Sequence, residues 1–188
     1  MIEDMIIETK RLLLRTWEET DAEALYQHAK DPRIGPLCGW QPHTSVEESR
    51  TIIRDVLSKP ETYAVVLKET GELAGGVSCF ASRAEGAGQG DMEIGYWLGV
   101  PYWGKGLMPE AVRALERRCF EVYECSSLWC GYFDGNEKSR RVQEKCGFSY
   151  HHTEHDKCMG LSGETHTVYF TRLTRSQWAG NPLLHGFL

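Results

Sequence analysis

Residues 92–133 constrain the fold of this chain more than any other stretch. Residues 92–98 are β-rich, 99–106 form a glycine-bearing turn, and 107–122 place Met108, Ala111, Val112, Leu115, Cys119 and Val122 on one helical face. Residues 128–133 are β-rich again. Strand, helix and strand in that order form a crossover, so the two strands lie parallel. The neighbouring runs favour antiparallel pairing. Residues 10–16 mostly alternate, and 63–67 and 73–80 are joined by Lys68-Glu-Thr-Gly-Glu72, a hairpin in which Gly71 supplies a positive φ. Two more strands, 149–156 and 165–172, close the series.

Helix signals fill the gaps. Thr20-Asp-Ala-Glu23 and Ser45-Val-Glu-Glu48 both have the capping-box form, the second leading into Ile52, Ile53, Val56 and Leu57 at helical spacing. Between these helices, residues 31–42 are rich in Pro and Gly and read as irregular loop. A short helix over 136–145 stops at Gly147, the place of a left-handed cap. The expected fold is α+β: about seven strands in a mostly antiparallel twisted sheet, one parallel pair at the fourth and fifth strands, and about four flanking helices.

At 188 residues the chain is expected to form one domain over 1–188, with a tail at 174–188 that docks on its own chain or a neighbour. A monomer or a homodimer is compatible with that. The formal charge of −6 argues against nucleic acid as partner, because phosphate neutralisation needs surplus Lys and Arg. No run of about 20 apolar residues is present, so no membrane span is expected. Seven cysteines, an odd number without a C-x-x-C pair, suggest small apolar fillers in a reducing cytoplasm. His151, His152 and His155 resemble a metal cluster on paper, but strand alternation puts His152 on the opposite face, and no metal is expected. A solvated sheet surface or a pocket wall fits them better.

The chemistry concentrates in the turn. Trp103-Gly-Lys-Gly-Leu-Met108 opens directly into a helix, whose first amides point outward unpaired at the positive end of the helix dipole. That makes an anion site. Gly104 and Gly106 permit close approach, and Lys105 adds charge. A Walker A loop is excluded because no Ser or Thr follows the lysine, and a dinucleotide fingerprint because no third glycine follows at the required step.

This turn, together with Asn136-Glu-Lys-Ser139-Arg-Arg-Val-Gln143-Glu-Lys-Cys-Gly-Phe148, resembles the GNAT superfamily of acyl-CoA-dependent N-acetyltransferases. The opening Glu8-Thr-Lys-Arg-Leu-Leu-Leu-Arg15, Gly95-Tyr-Trp97 and Tyr102-Trp-Gly-Lys-Gly106 are similar to its ribosomal-protein N-terminal acetyltransferase branch. The resemblance spans about residues 9–173. It implies that the parallel strands splay apart, that acetyl-CoA is the acyl donor, and that an amine is the acceptor, either a protein N-terminus or a small molecule.

By the same resemblance, the amides from Trp103 through Gly104, Lys105, Gly106 and Leu107 to Met108 hold the pyrophosphate. Tyr96, Trp97 and Leu98 line the pantetheine arm, and the Leu98 amide polarises the thioester carbonyl. Asn136 orients the arm or a water. Two positions depart from the family turn, Trp103 for Gln or Arg and Met108 for Gly or Ala, and both leave the backbone cradle intact. The family's tyrosine acid, seven residues after the helix asparagine, is Gln143 here, and an amide is no acid at neutral pH. Ser139 becomes the candidate donor and Glu93 the candidate general base, the alternative for Glu93 being a solvent-facing or ion-paired carboxylate. Trp40 either roofs the acceptor site or anchors the core. Two other functions stay open: a small-molecule acetyltransferase acting on an antibiotic, polyamine or amino acid, and a GNAT-like module that binds acyl-CoA without turnover.

Overall fold

A computed structural model describes residues 6–158 and 160–182. One sheet runs through it, built from β1 (Ile7–Glu8), β2 (Leu12–Thr16), β3 (Thr62–Leu67), β4 (Leu73–Ala81), β5 (Met92–Leu98), β6 (Ser127–Phe133), β7 (Ser149–Cys158) and β8 (Thr165–Thr174). Their spatial order is β1-β2-β3-β4-β5-β6-β8-β7. Every neighbouring pair is antiparallel except β5 and β6. The helices are α1 (Ala22–Ala29), α2 (Val46–Ile52), which runs on as a π-helical turn at Ile53–Leu57, α3 (Leu107–Glu121), α4 (Glu137–Lys145) and α5 (Arg175–Ala179). The mixed α/β reading with a parallel pair holds. The eighth strand, β1, has only two residues and too little pattern to be read in advance.

Alternation along the strands feeds a core on each face. Leu12, Leu14, Val65, Val77 and Ile94 meet Leu107, Ala111, Val112, Leu115 and Phe120 of α3. Each large apolar side chain buried there contributes roughly 1.5–3 kcal/mol. Trp17, Ala64 and Val66 point the other way, against Leu25 of α1 and Ile53 beyond α2. At the far end of that second face, Trp129, Phe133, Val168 and Phe170 pack under the loop at Ala84.

Local details depart from the pattern in physical ways. Thr20 caps nothing: its hydroxyl donates to Glu18 Oε2, and a 3-10 turn at Glu19–Asp21 precedes α1. Asp21 closes that turn by accepting from the Glu18 N–H at 3.0 Å, and it forms a two-pronged pair with Arg15 at 2.7 Å. Ser45 does cap α2, accepting from the Glu48 N–H. Val122, expected inside, is exposed because α3 ends before it, whereas Glu116 is wholly buried. In β7 the register shifts between Tyr150 and His152. That bulge cancels the alternation, so His151 and His152 both pack against Trp129, with their Nδ1 atoms 2.8 Å apart.

Five of the seven cysteines are buried and all seven are free thiols, but Cys158 is exposed and does not act as a filler. From the tail, Trp178 of α5 stacks on Phe120 at 5.0 Å, while residues 183–188 lie outside the described residues. No helix among the described residues is long and apolar enough to cross a membrane.

Candidate active site

The parallel pair is very short. Only Met92 with Leu128 and Glu93 with Trp129 are in register, so β5 and β6 separate from Ile94 onward. A cavity of about 590 Å³ occupies the gap and reaches both faces of the sheet. Gly99 N–H donates to Ala74 O on the β4 side. Strand alternation then turns the N–H and C=O groups of Leu98, Tyr96 and Ile94 towards the gap. Two of these carbonyls are occupied: the Cys130 thiol donates to Ile94 O at 3.1 Å, and the Trp103 indole N–H to Leu98 O at 2.7 Å.

The turn above the gap is held from behind. Gly104 and Gly106 have φ of 75° and 71°, a region that a side chain disfavours, and no side chain caps the start of α3. Arg11 donates to the carbonyls of Lys105 and Gly106 at 2.9 and 3.0 Å, drawing them to the back of the turn. Glu110 accepts from Arg11 Nε, from the Arg11 N–H and from the Thr9 hydroxyl, at 2.6 to 2.7 Å. These contacts hold Glu110 below the ordinary carboxylate range despite burial, which acts in the opposite direction. Gly104, Gly106, Leu107 and Met108 line the cavity; Lys105 does not, and its ammonium lies over the Tyr102 ring. Lys138, Arg141 and Lys145 supply the cationic rim instead, with Lys138 over the Trp103 ring at 4.6 Å.

α4 presents a connected polar chain. Asn136 caps the helix, accepting from the Ser139 N–H at 3.1 Å, and its Nδ2 donates to Leu37 O. Ser139 Oγ lies 2.9 Å from the Tyr96 hydroxyl and accepts from Gln143 Nε2 at 3.2 Å. Gln143 is buried and also bonds Gly131 O and the Thr171 hydroxyl, so it braces Ser139 from below the cleft. Burial drives the Tyr96 phenol well above its ordinary pKa, which keeps it a proton donor in this chain.

Glu93 lies on the other face of β5, in line with Gly95 and Trp97. It is 3% exposed and accepts from the Arg83 N–H at 3.1 Å and the Ser82 hydroxyl at 3.3 Å. Burial raises its pKa; those two bonds and the charges of Lys157 and Arg83 oppose the rise. Glu93 is therefore neither solvent-facing nor in a direct ion pair. Trp97 also points to this face, stacked on Trp17 and set edge-on to Trp40, so its side chain is away from the glycine turn. Gly76 makes the room, since a Cβ there would lie 2.7 Å from Trp97 Nε1. Trp40 both packs in this cluster and lines the cavity.

Arg11, Glu110 and Gln143 as a brace were not read from sequence. The available signal for Glu110 was an acid in the first turn of a helix, where the dipole favours it.

Together these features define a class: mixed α/β proteins with a cleft where two parallel strands splay beside a glycine-led helix. Residues 11–149 match the acetyltransferase (GNAT) domain family, and the chain belongs to that family. The uncharacterized N-acetyltransferase p20 of Bacillus licheniformis is 34% identical over 112 residues, 57% of this chain. The matched stretch covers 61% of that relative's length. Among solved structures, a GNAT-family acetyltransferase from Bacillus anthracis superposes with a TM-score of 0.78 at 23% identity, covering 92% of this chain and 99% of its own. The ribosomal-protein-S5-alanine acetyltransferase from Vibrio fischeri gives 0.70 at 22%, covering 93% and 99%. Both likenesses concern the fold.

Proposed function

We propose that this protein is an acetyl-CoA-dependent N-acetyltransferase in which a bound primary amine attacks the thioester directly. The observation that carries this reading is the position of Glu93 relative to the open edge of β5: carboxylate on one face, unpaired Tyr96 and Leu98 amides along the gap. The residues present fit coenzyme A. Amides from Gly104 to Met108, turned outward by Arg11, suit its pyrophosphate, and Lys138, Arg141 and Lys145 add charge at the rim. When bound, the coenzyme supplies an activated acetyl group as a thioester.

The protein's own groups do the rest. The Leu98 N–H, turned to the gap, would donate to the thioester carbonyl oxygen as negative charge grows on it, and a fixed donor there favours the transition state over the ground state. Glu93 takes a proton from the attacking amine, directly or through water, as the new N–C bond forms and the C–S bond breaks. Ser139, held by Gln143 and Tyr96, donates a hydrogen bond to the departing thiolate. Asn136 keeps α4 in place as its cap.

Thiol release from acetyl-CoA with a panel of primary amines tests the proposal. Release that depends on amine and enzyme supports it. Tight acetyl-CoA binding with no release for any amine would point to a binding module and overturn it. Wild-type turnover in Ser139→Ala would remove the serine from the scheme.

A further inference from the structure

The two halves of the cavity differ in chemistry, and the half facing away from the glycine turn narrows the acceptor. Directly opposed residues in an antiparallel pair share a face. Thr62 opposes Ser78, Ser78 opposes Gly95, and Phe80 opposes Glu93, so these side chains make one floor beside the Glu93 carboxylate. The walls above it are Ile34, Leu37, Trp40 and Leu57. Among all the described residues lining the cavity, Glu93 is the sole carboxylate, against Arg33, Lys138, Arg141 and Lys145.

The roof over this half is fastened. Leu161 and Ser162, at the tip between β7 and β8, both donate N–H to Gly39 O, at 2.6 and 2.8 Å. Gln41 reaches Glu164 at 3.2 Å, and Asn136 reaches Leu37 O at 3.4 Å. The approach is so close that a Cβ on Gly160 would lie 2.2 Å from Gly39 O.

We infer that the acceptor is a compact primary amine with one positive charge on an apolar or aromatic body. This rests on the transferase reading and deepens it. A polyamine or aminoglycoside brings several ammonium groups, which in this half would have to share the single Glu93 carboxylate. Burying an unpaired charge is costly, so such a ligand is disfavoured. A polypeptide N-terminus brings main-chain groups that need partners, plus a chain that must leave the pocket. The aromatic and aliphatic walls offer few such partners. A flat apolar body meets Trp40 and Phe80 with its ammonium near Glu93, and each apolar contact buried adds to affinity.

The test separates binding from turnover. Enzyme saturated with coenzyme A is titrated calorimetrically with 2-phenylethylamine, spermidine and a four-residue peptide with a free N-terminus. Phenylethylamine is expected to bind at least tenfold more tightly than the other two. Phe80→Ala is expected to weaken it at least fivefold, with coenzyme A affinity within twofold of wild type, and Phe80→Leu to lose less. Phe80 is 38% exposed, so both variants should fold. Equal or tighter binding of spermidine or peptide, no phenylethylamine binding, or indifference to both Phe80 variants overturns the inference. Thiol release answers the other question. Phenylethylamine that binds as expected while no amine of the panel releases thiol sinks the transferase reading and leaves the ligand-class assignment standing; release fastest with spermidine does the reverse.

Discussion

Two buried carboxylates behave differently because of what surrounds them. Glu93 keeps two hydrogen-bond donors and faces the cleft, so its raised pKa is of use: a base closer to neutrality is better matched to an amine's proton. The pH profile of kcat/KM should rise with an apparent pKa above the ordinary carboxylate range. Glu93→Gln should lose about 100-fold in kcat/KM and that rising limb with it. Glu116 has no hydrogen bond to either oxygen among the described residues, and burial raises its pKa to about 8, against a smaller lowering by Arg113. A folded pKa above the unfolded value makes its contribution to stability fullest below about 4.5 and progressively lost as pH rises to about 8. Urea unfolding of Glu116→Gln should therefore show a gain of ~2 kcal/mol at pH 8.5 that shrinks towards pH 4.5. The two residues were unequally legible. Glu93 stands beside a recognisable turn, whereas Glu116 falls within the apolar stripe between Val112 and Cys119, where its polarity masks its burial.

At the scale of elements, the turn and its brace act as one unit. Arg11 and Glu110 are 99 residues apart, and no local pattern joins a strand arginine to carbonyls in a distant loop. Arg11→Ala frees the Lys105 and Gly106 carbonyls to rotate, so the outward amides lose their preset aim. Coenzyme A should then bind about tenfold more weakly by calorimetry, equivalent to 1.4 kcal/mol. Gly106→Ala must hold a side chain at φ 71°, at a cost of roughly 1–2 kcal/mol, and should lower both affinity and melting temperature. Elements with a strong period were readable: the β3–β4 hairpin, α3, and α4 with Gly147 at φ 84° just beyond it. The β7 bulge was not, because one inserted residue leaves the run of β-formers unchanged while reversing the side-chain faces after it. α5 also escaped, being five residues long and dependent on the docking of Trp178 on Phe120.

For the whole molecule, the charge of −6 is no guide to the cleft. The first 62 residues carry 12 acids against 8 bases, a local acidic surplus. It is absent from the cavity, where one carboxylate meets four cations. The excess lies elsewhere, partly in pairs such as Asp21 with Arg15 and Glu61 with Arg118. Coenzyme affinity should accordingly fall as salt rises from about 0.01 to 1 M, over which the screening length shrinks from about 30 to 3 Å. A salt-independent dissociation constant would deny the rim its part.

The splay also gives β5 two kinds of clock. Gly95 and Trp97 turn their amide protons to the β4 ladder, while Tyr96 and Leu98 turn theirs to the gap, one residue apart along the same strand. In deuterated water the first pair should exchange only as the sheet opens, and the second far sooner, so protection rises and falls residue by residue within one element. A ligand laid against that edge would slow only the fast pair, allowing isotope labelling to report occupancy of the cleft before any acetyl group moves.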